Sequence, residues 1–189
     1  MIEQGNIAVR YRIDAEQSRF TVQGSAQGLL SMFGHDPVIA ICGFGGDARF
    51  VPGTLAQASL LMLVQANSLA VVNKVSEKDH REIERAMRDE VLEIALYPEI
   101  VFMSTKISAT QTAKGRYQAS IAGKLTLHGV TRDQLIDARL SVDGANLRAQ
   151  GEFALRQTDY NIKPVSVAGG TLKMKDELKL SFDITAITD

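Results

Sequence analysis

The chain has no tryptophan, a single cysteine, four prolines and an aromatic fraction of only 6% in 189 residues. A lone thiol, Cys42, excludes an internal disulfide and any zinc site built from several cysteines. The three histidines, His35, His80 and His128, form no i, i+4 pair and none of the short metal-ligand spacings, so no metal site is expected. Lys plus Arg number 21 against 22 Asp plus Glu, a net charge of -1, which leaves no global field for nucleic acid or an anionic membrane. The greasiest stretch, "ASLLMLVQANSLAVV", is broken by Gln65, Asn67 and Ser68 and is too short to span a bilayer as a helix. The N-terminus "MIEQGNIAVRYRID" lacks a basic flank followed by an apolar core, so no secretory signal is visible and a cytoplasmic location is expected. Phosphate-loop, zinc-protease and nucleophile-elbow motifs are absent, and "GFGGDA" has glycines without a dinucleotide fingerprint.

What the sequence has in quantity is alternation. In "RYQASIAGKLTL" the residues Ala119, Ile121, Gly123, Leu125 and Leu127 share one parity, and Gln118, Ser120, Lys124 and Thr126 share the other. "NLRAQGEFAL" and "DELKLSFDITAI" repeat the pattern, which is that of strands with one wet and one buried face. "IVFMSTKISAT" and "DQLIDARLSVDG" add two more strands, and the turns "AKGR" and "DGAN" predict hairpins. Upstream, "IAVRYRI" and "RFTVQG" read as two strands separated by "DAEQS", and a Gly-rich bent segment follows from Ala26 to Val51. From Ala58 to Asn67 both faces are apolar, as for a barrel strand with a greasy interior and a covered exterior.

One segment differs. In "SEKDHREIERAMRDE", Ser76 is a candidate N-cap and Ile83 and Met87 lie four apart, predicting an amphipathic helix over about 77–90. About eight antiparallel strands around a single inserted helix predict one all-β domain over 1–189, an extended, lipocalin-like β-barrel whose closure removes sheet edges.

Read in order, "YRIDAEQSRFTV", "HREIERAMRDEVLEIALYPEIVFMSTKI", "GKLTLHGVTRD", "GEFALRQTDYNI" and "DELKLSFDI" resemble the YceI-like family of polyisoprenoid-binding proteins over nearly the whole chain. The resemblance implies a barrel enclosing an elongated apolar channel, and an isoprenoid quinone or a polyprenyl phosphate as bound molecule. Where the family commonly has an Arg followed by Asp-Phe-Gly-Ile, this sequence has Arg156, Asp159, Tyr160, Asn161 and Ile162, so the lining near that loop is expected to differ.

The candidate ligand-binding residues are therefore mainly apolar. Leu30, Met32, Phe33 and Val38 lie in the bent segment, and Met62, Val64, Met87 and Met103 add side chains of which three are unbranched and adapt to a flexible ligand. His35, beside Asp36 in "FGHDP", is the candidate head-group contact, with Arg156 and Tyr160 near the other loop. His128 in "LTLHGVTRD" is read first as a turn residue flanked by the Thr126 and Thr131 hydroxyls; head-group contact is a second reading, and acid-base or metal work a third. His80 is read as a solvated surface residue. The expected function is carriage or sequestration of an apolar ligand, with no catalytic residue assigned. An enzyme acting on such a ligand and a ligand-free structural protein stand as alternatives, and pairing with a second copy of the chain is left open.

Overall fold

The alternation in the sequence sets which residues face the interior. Between Arg116 and Leu127, the side chains of Tyr117, Ala119, Ile121, Leu125 and Leu127 are buried, while Arg116, Gln118 and Lys124 are exposed. This is the computed structural model of the chain, which describes residues 7–27, 36–72, 77–167 and 172–188. Its elements in chain order are β1 (Val9–Gln23), β2 (Ala26–Gln27), β3 (Val38–Ile41), β4 (Phe44–Val51), β5 (Ala56–Gln65), β6 (Leu69–Val71) and α1 (Glu77–Ala86). There follow β7 (Glu99–Ala113), β8 (Arg116–Leu127), β9 (Val130–Asp143), β10 (Asn146–Arg156), β11 (Ser166–Val167), β12 (Leu172–Met174) and β13 (Glu177–Thr188).

Eight of these strands close into a barrel. The antiparallel order is β1-β4-β5-β7-β8-β9-β10-β13, and β13 pairs back onto β1, so the sheet has no free edge over most of its length. Successive barrel strands are neighbours in space, the up-and-down arrangement that short hairpins allow. The short β3 and β6 extend the sheet beside the end of β1, and β2, β11 and β12 form a separate three-stranded patch.

The two strands expected at the N-terminus are one. "DAEQS" does not separate them but forms a bulge, across which the β1–β13 register shifts between Asp14 and Arg19. The Asp14 carboxylate accepts the amide N–H groups of Glu16 at 3.0 Å and Gln17 at 3.2 Å, so polar residues that read as a loop are held within the strand.

The barrel has two unlike ends. One carries the tight hairpins around Gly53, Gly115 and Gly144 and is plugged by Tyr11, which is 1% exposed, stacks on Phe50 at 4.8 Å and donates its hydroxyl to the Gly144 carbonyl at 3.3 Å. At the other end lies the predicted helix. α1 runs from Glu77 to Ala86 and widens into a single π-helical segment, Met87–Val91, so the helical stretch covers the expected 77–90. The Ser76 cap lies outside the described residues. His80 is tied in rather than free in solvent: its Nε2 donates to the Val71 carbonyl at 2.9 Å, while Glu84 accepts the Val71 amide at 3.3 Å. These contacts anchor α1 to β6.

Candidate functional site

The inward side chains do not fill the barrel. They surround a cavity of about 1000 Å³ that runs from Phe50, Leu140 and Leu147 near the plugged end to Pro37, Leu155, Ile162 and Met174 at the helix end. Leu147 and Leu155 lie on the same strand, so the lining extends roughly 26 Å along β10 and about 20 Å along an axis from which strands tilt by about 40°. The walls are hydrocarbon: Ile121, Leu125, Ile136, Phe153, Leu180 and Ile184 from the second half of the chain face Phe20, Val22, Leu60 and Met62 from the first. Over the helix end, Ile83, Ala86, Met87, Val91 and Leu92 line the same space. Charged groups stand at the rim: Arg85 pairs with Glu90 at 3.4 Å, and Arg49 pairs with Asp47 at 2.8 Å.

Met62, Val64 and Met87 line this cavity. Val38 is half-buried on β3 next to the lining residues Pro37 and Ile39, but is not itself part of the lining. Met103 points outward and is 56% exposed, because it pairs with Leu61 and Lys124 on the parity opposite to Phe102, whose ring lies inside. Leu30, Met32, Phe33 and His35 lie outside the described residues.

Arg156 is exposed and Tyr160 is 2% exposed; neither lines the cavity, and both border a shallow outer depression with Arg132 and Asp159. Burial, with the nearby Asp159 charge, pushes the Tyr160 phenol above its ordinary range.

His128 also lies off the cavity. With Gly129 it forms the two-residue turn between β8 and β9, both residues at positive φ (50° and 72°), as a primed hairpin turn requires. The Thr126 and Thr131 hydroxyls bond across the turn at 2.8 Å. The ring also ties distant segments together. Its Nε2 lies 2.7 Å from a Glu93 carboxylate oxygen, its Nδ1 lies 3.2 Å from the Tyr160 carbonyl, and Tyr97 packs against the face. Two acceptors on two ring nitrogens require an N–H at each nitrogen or a proton on the carboxyl. His128 thus clasps the segment that leads from the helix back into β7, with its imidazole 9% exposed.

Two further features complete the site. The inward residues of β9, β10 and β13 line the cavity but were not among the candidate ligand-binding residues, although the alternation of β10 and β13 had placed theirs on one face. Gln157 gave no signal at all, being a polar residue in a polar run; in the fold it is 5% exposed and lines the cavity. Among the described residues no three His, Cys, Asp or Glu side chains converge as a metal site, and no helix is long and apolar enough to cross a membrane.

A closed up-and-down barrel, hollow and apolar along its axis and covered at one end by a helix, is the architecture of proteins that enclose small molecules. The chain belongs to the YceI-like family, whose domain model matches residues 11–186. It is 35% identical over 98 residues to a UPF0312 protein of Pseudomonas savastanoi, a match covering 49% of this chain and 47% of that one. A UPF0312 protein of Enterobacter is 27% identical over 167 residues, covering 82% and 77%. The match thus spans about half the length of the Pseudomonas relative. Among solved structures, BcnA of Burkholderia cenocepacia superimposes with a TM-score of 0.67 at 18% identity, covering 92% of this chain and 99% of that one. A polyisoprenoid binding domain from Saccharophagus degradans gives 0.69 at 14% identity, covering 96% and 99%. At such identities the likeness is one of fold.

Proposed function

We propose that this barrel binds an elongated apolar molecule, isoprenoid in character, along its axis, and carries or sequesters it. The observation that supports this reading is the cavity itself. An apolar space of about 1000 Å³, kept dry and empty at about 24 cal/mol per Å³, would cost on the order of 20 kcal/mol, more than the whole stability of an ordinary domain. Water is a poor filling because the walls offer it few hydrogen bonds. A flexible hydrocarbon suits both the shape and the lining: burying about fifteen carbons at about 0.8 kcal/mol each gives roughly 12 kcal/mol before ordering costs. The Saccharophagus domain of the same fold is described as polyisoprenoid-binding, which points in the same direction.

The reading is tested by titrating the purified protein, stripped of bound lipid, with isoprenoid quinones and polyprenyl phosphates while an environment-sensitive apolar probe is displaced. Saturable 1:1 displacement is expected. Displacement that never saturates, or none by any chain length, overturns the reading.

A further inference from the structure

We infer that Gln157 is the head-group anchor of the cavity, and that it selects an apolar ligand bearing a hydroxyl donor, a long-chain alcohol or a quinol, over one whose head only accepts hydrogen bonds. This rests on the barrel being a ligand carrier. Gln157 is the buried polar side chain among the described residues, 5% exposed, and it lines the cavity at the helix end. Its amide nitrogen donates to two backbone carbonyls, Lys175 at 3.0 Å and Asp176 at 3.4 Å. Exchanging the amide oxygen and nitrogen would set oxygen against oxygen, so the orientation is fixed by chemistry.

The carboxamide oxygen is left over. No described residue donates to it, and the side chain that carries it lines the cavity. At this end of the cavity the lining residues Leu155, Ile162, Val165, Met174 and Leu178 offer no donor from their side chains. The turn that carries Gln157 is itself pinned: its amide donates to the Asp176 carbonyl at 3.0 Å, and the next residue, Thr158, donates its amide and hydroxyl to the Asp176 carboxylate at 2.9 and 2.7 Å. An oriented acceptor in a desolvated wall recognises an O–H and leaves an ether, a quinone carbonyl or a phosphate oxygen unpaired.

The test compares ligands that differ only in that proton. Lipid-stripped protein is titrated with geranylgeraniol and with its methyl ether, and, anaerobically, with one isoprenoid quinone in its reduced and oxidised forms. Each titration is repeated on Gln157→Met, which keeps length and removes the acceptor. Wild type is expected to hold the hydroxyl-bearing member of at least one pair about fivefold or more tightly. Gln157→Met is expected to lose that preference while binding the ether as before. The pair that discriminates tells an alcohol from a quinol.

Equal affinity within both pairs for wild type, or a preference that survives in Gln157→Met, overturns the anchor and leaves the carrier reading standing. Binding of no member overturns the anchor, and overturns the carrier reading too if the titration with quinones and polyprenyl phosphates of other chain lengths is also blank. Equal affinity in wild type is enough by itself to overturn the anchor, and Gln157→Leu takes the place of Gln157→Met should the latter fail to fold.

Discussion

Placing a ring inside the barrel separates a hollow interior from a packed one. Ala149 is half-buried on β10, between Leu147 and Gly151 and opposite Leu140 and Ile184, and its side chain faces the cavity. In Ala149→Phe the ring occupies space that about four ligand methylenes would otherwise fill; at about 0.8 kcal/mol each this removes roughly 3 kcal/mol of binding and raises Kd by about two orders of magnitude. The ligand-free protein should respond in the opposite sense. A phenyl group that enters existing apolar space adds about 1–2 kcal/mol of burial, whereas the same group forced into a filled core costs about 1–3 kcal/mol. Urea unfolding of lipid-stripped protein measures the first effect and ligand titration the second. A destabilised variant with unchanged affinity would show that the interior is already full and that ligands, if any, bind elsewhere.

Other consequences follow from single contacts. His128→Asn keeps a residue that tolerates positive φ but removes the clasp on Glu93 and the Tyr160 carbonyl; a stability loss of about 1 kcal/mol in urea is expected, with ligand affinity unchanged within about twofold, since the ring lies off the cavity. Gly151→Ala would set a methyl group 2.4 Å from the Asp137 carbonyl and 2.7 Å from the Phe182 ring, so a loss of about 2 kcal/mol is expected in the same assay. The Asp183 carboxyl is held below its ordinary range by its hydrogen bonds with Arg148, the larger cause, and with Gln150. Because the folded value is the lower one, this stabilisation is fully present above the unfolded carboxylate value of about 3.9 and is lost as pH falls toward the folded value. Asp183→Asn should therefore flatten the fall in thermal midpoint below about pH 4; an acid limb identical to that of wild type would contradict the assignment.

The parts of the fold legible in sequence are those governed by a period. β8, β10 and β13 alternate so regularly that their inward rows could be written down, and the Ile83/Met87 spacing located the helix. What escaped is governed by local hydrogen bonding that overrides composition. "DAEQS" has the makeup of a loop, yet the Asp14 carboxylate binds the following amides and keeps the strand running through it. His80 sits in a charged run that reads as solvated, and the Val71 carbonyl that captures it lies nine positions upstream in a different element, β6, whose docking against the helix no periodicity announces. The candidate site divides in the same way. The apolar character of the interior followed from alternation, but parity alone could not say that Met103 lies on the outer row while Met62 lies on the inner one, because both faces of β5 and β7 are greasy there. Gln157 depends on a turn whose partner residues, Lys175 and Asp176, are 18 and 19 positions away. The two roles of His128 were half visible: the His-Gly pair announces a turn, but Glu93 lies 35 residues upstream.

The central claim, that the barrel is built around a bound apolar chain, is tested most directly by native mass spectrometry of the full chain purified without added lipid, with organic extraction of the same sample. The predicted result is a protein peak carrying one adduct, of a mass matched by a hydrocarbon-rich molecule in the extract, and the loss of that adduct in Ala149→Phe. A bare protein mass and an empty extract, with no adduct regained after incubation with polyprenols, isoprenoid quinones or polyprenyl phosphates, would contradict it.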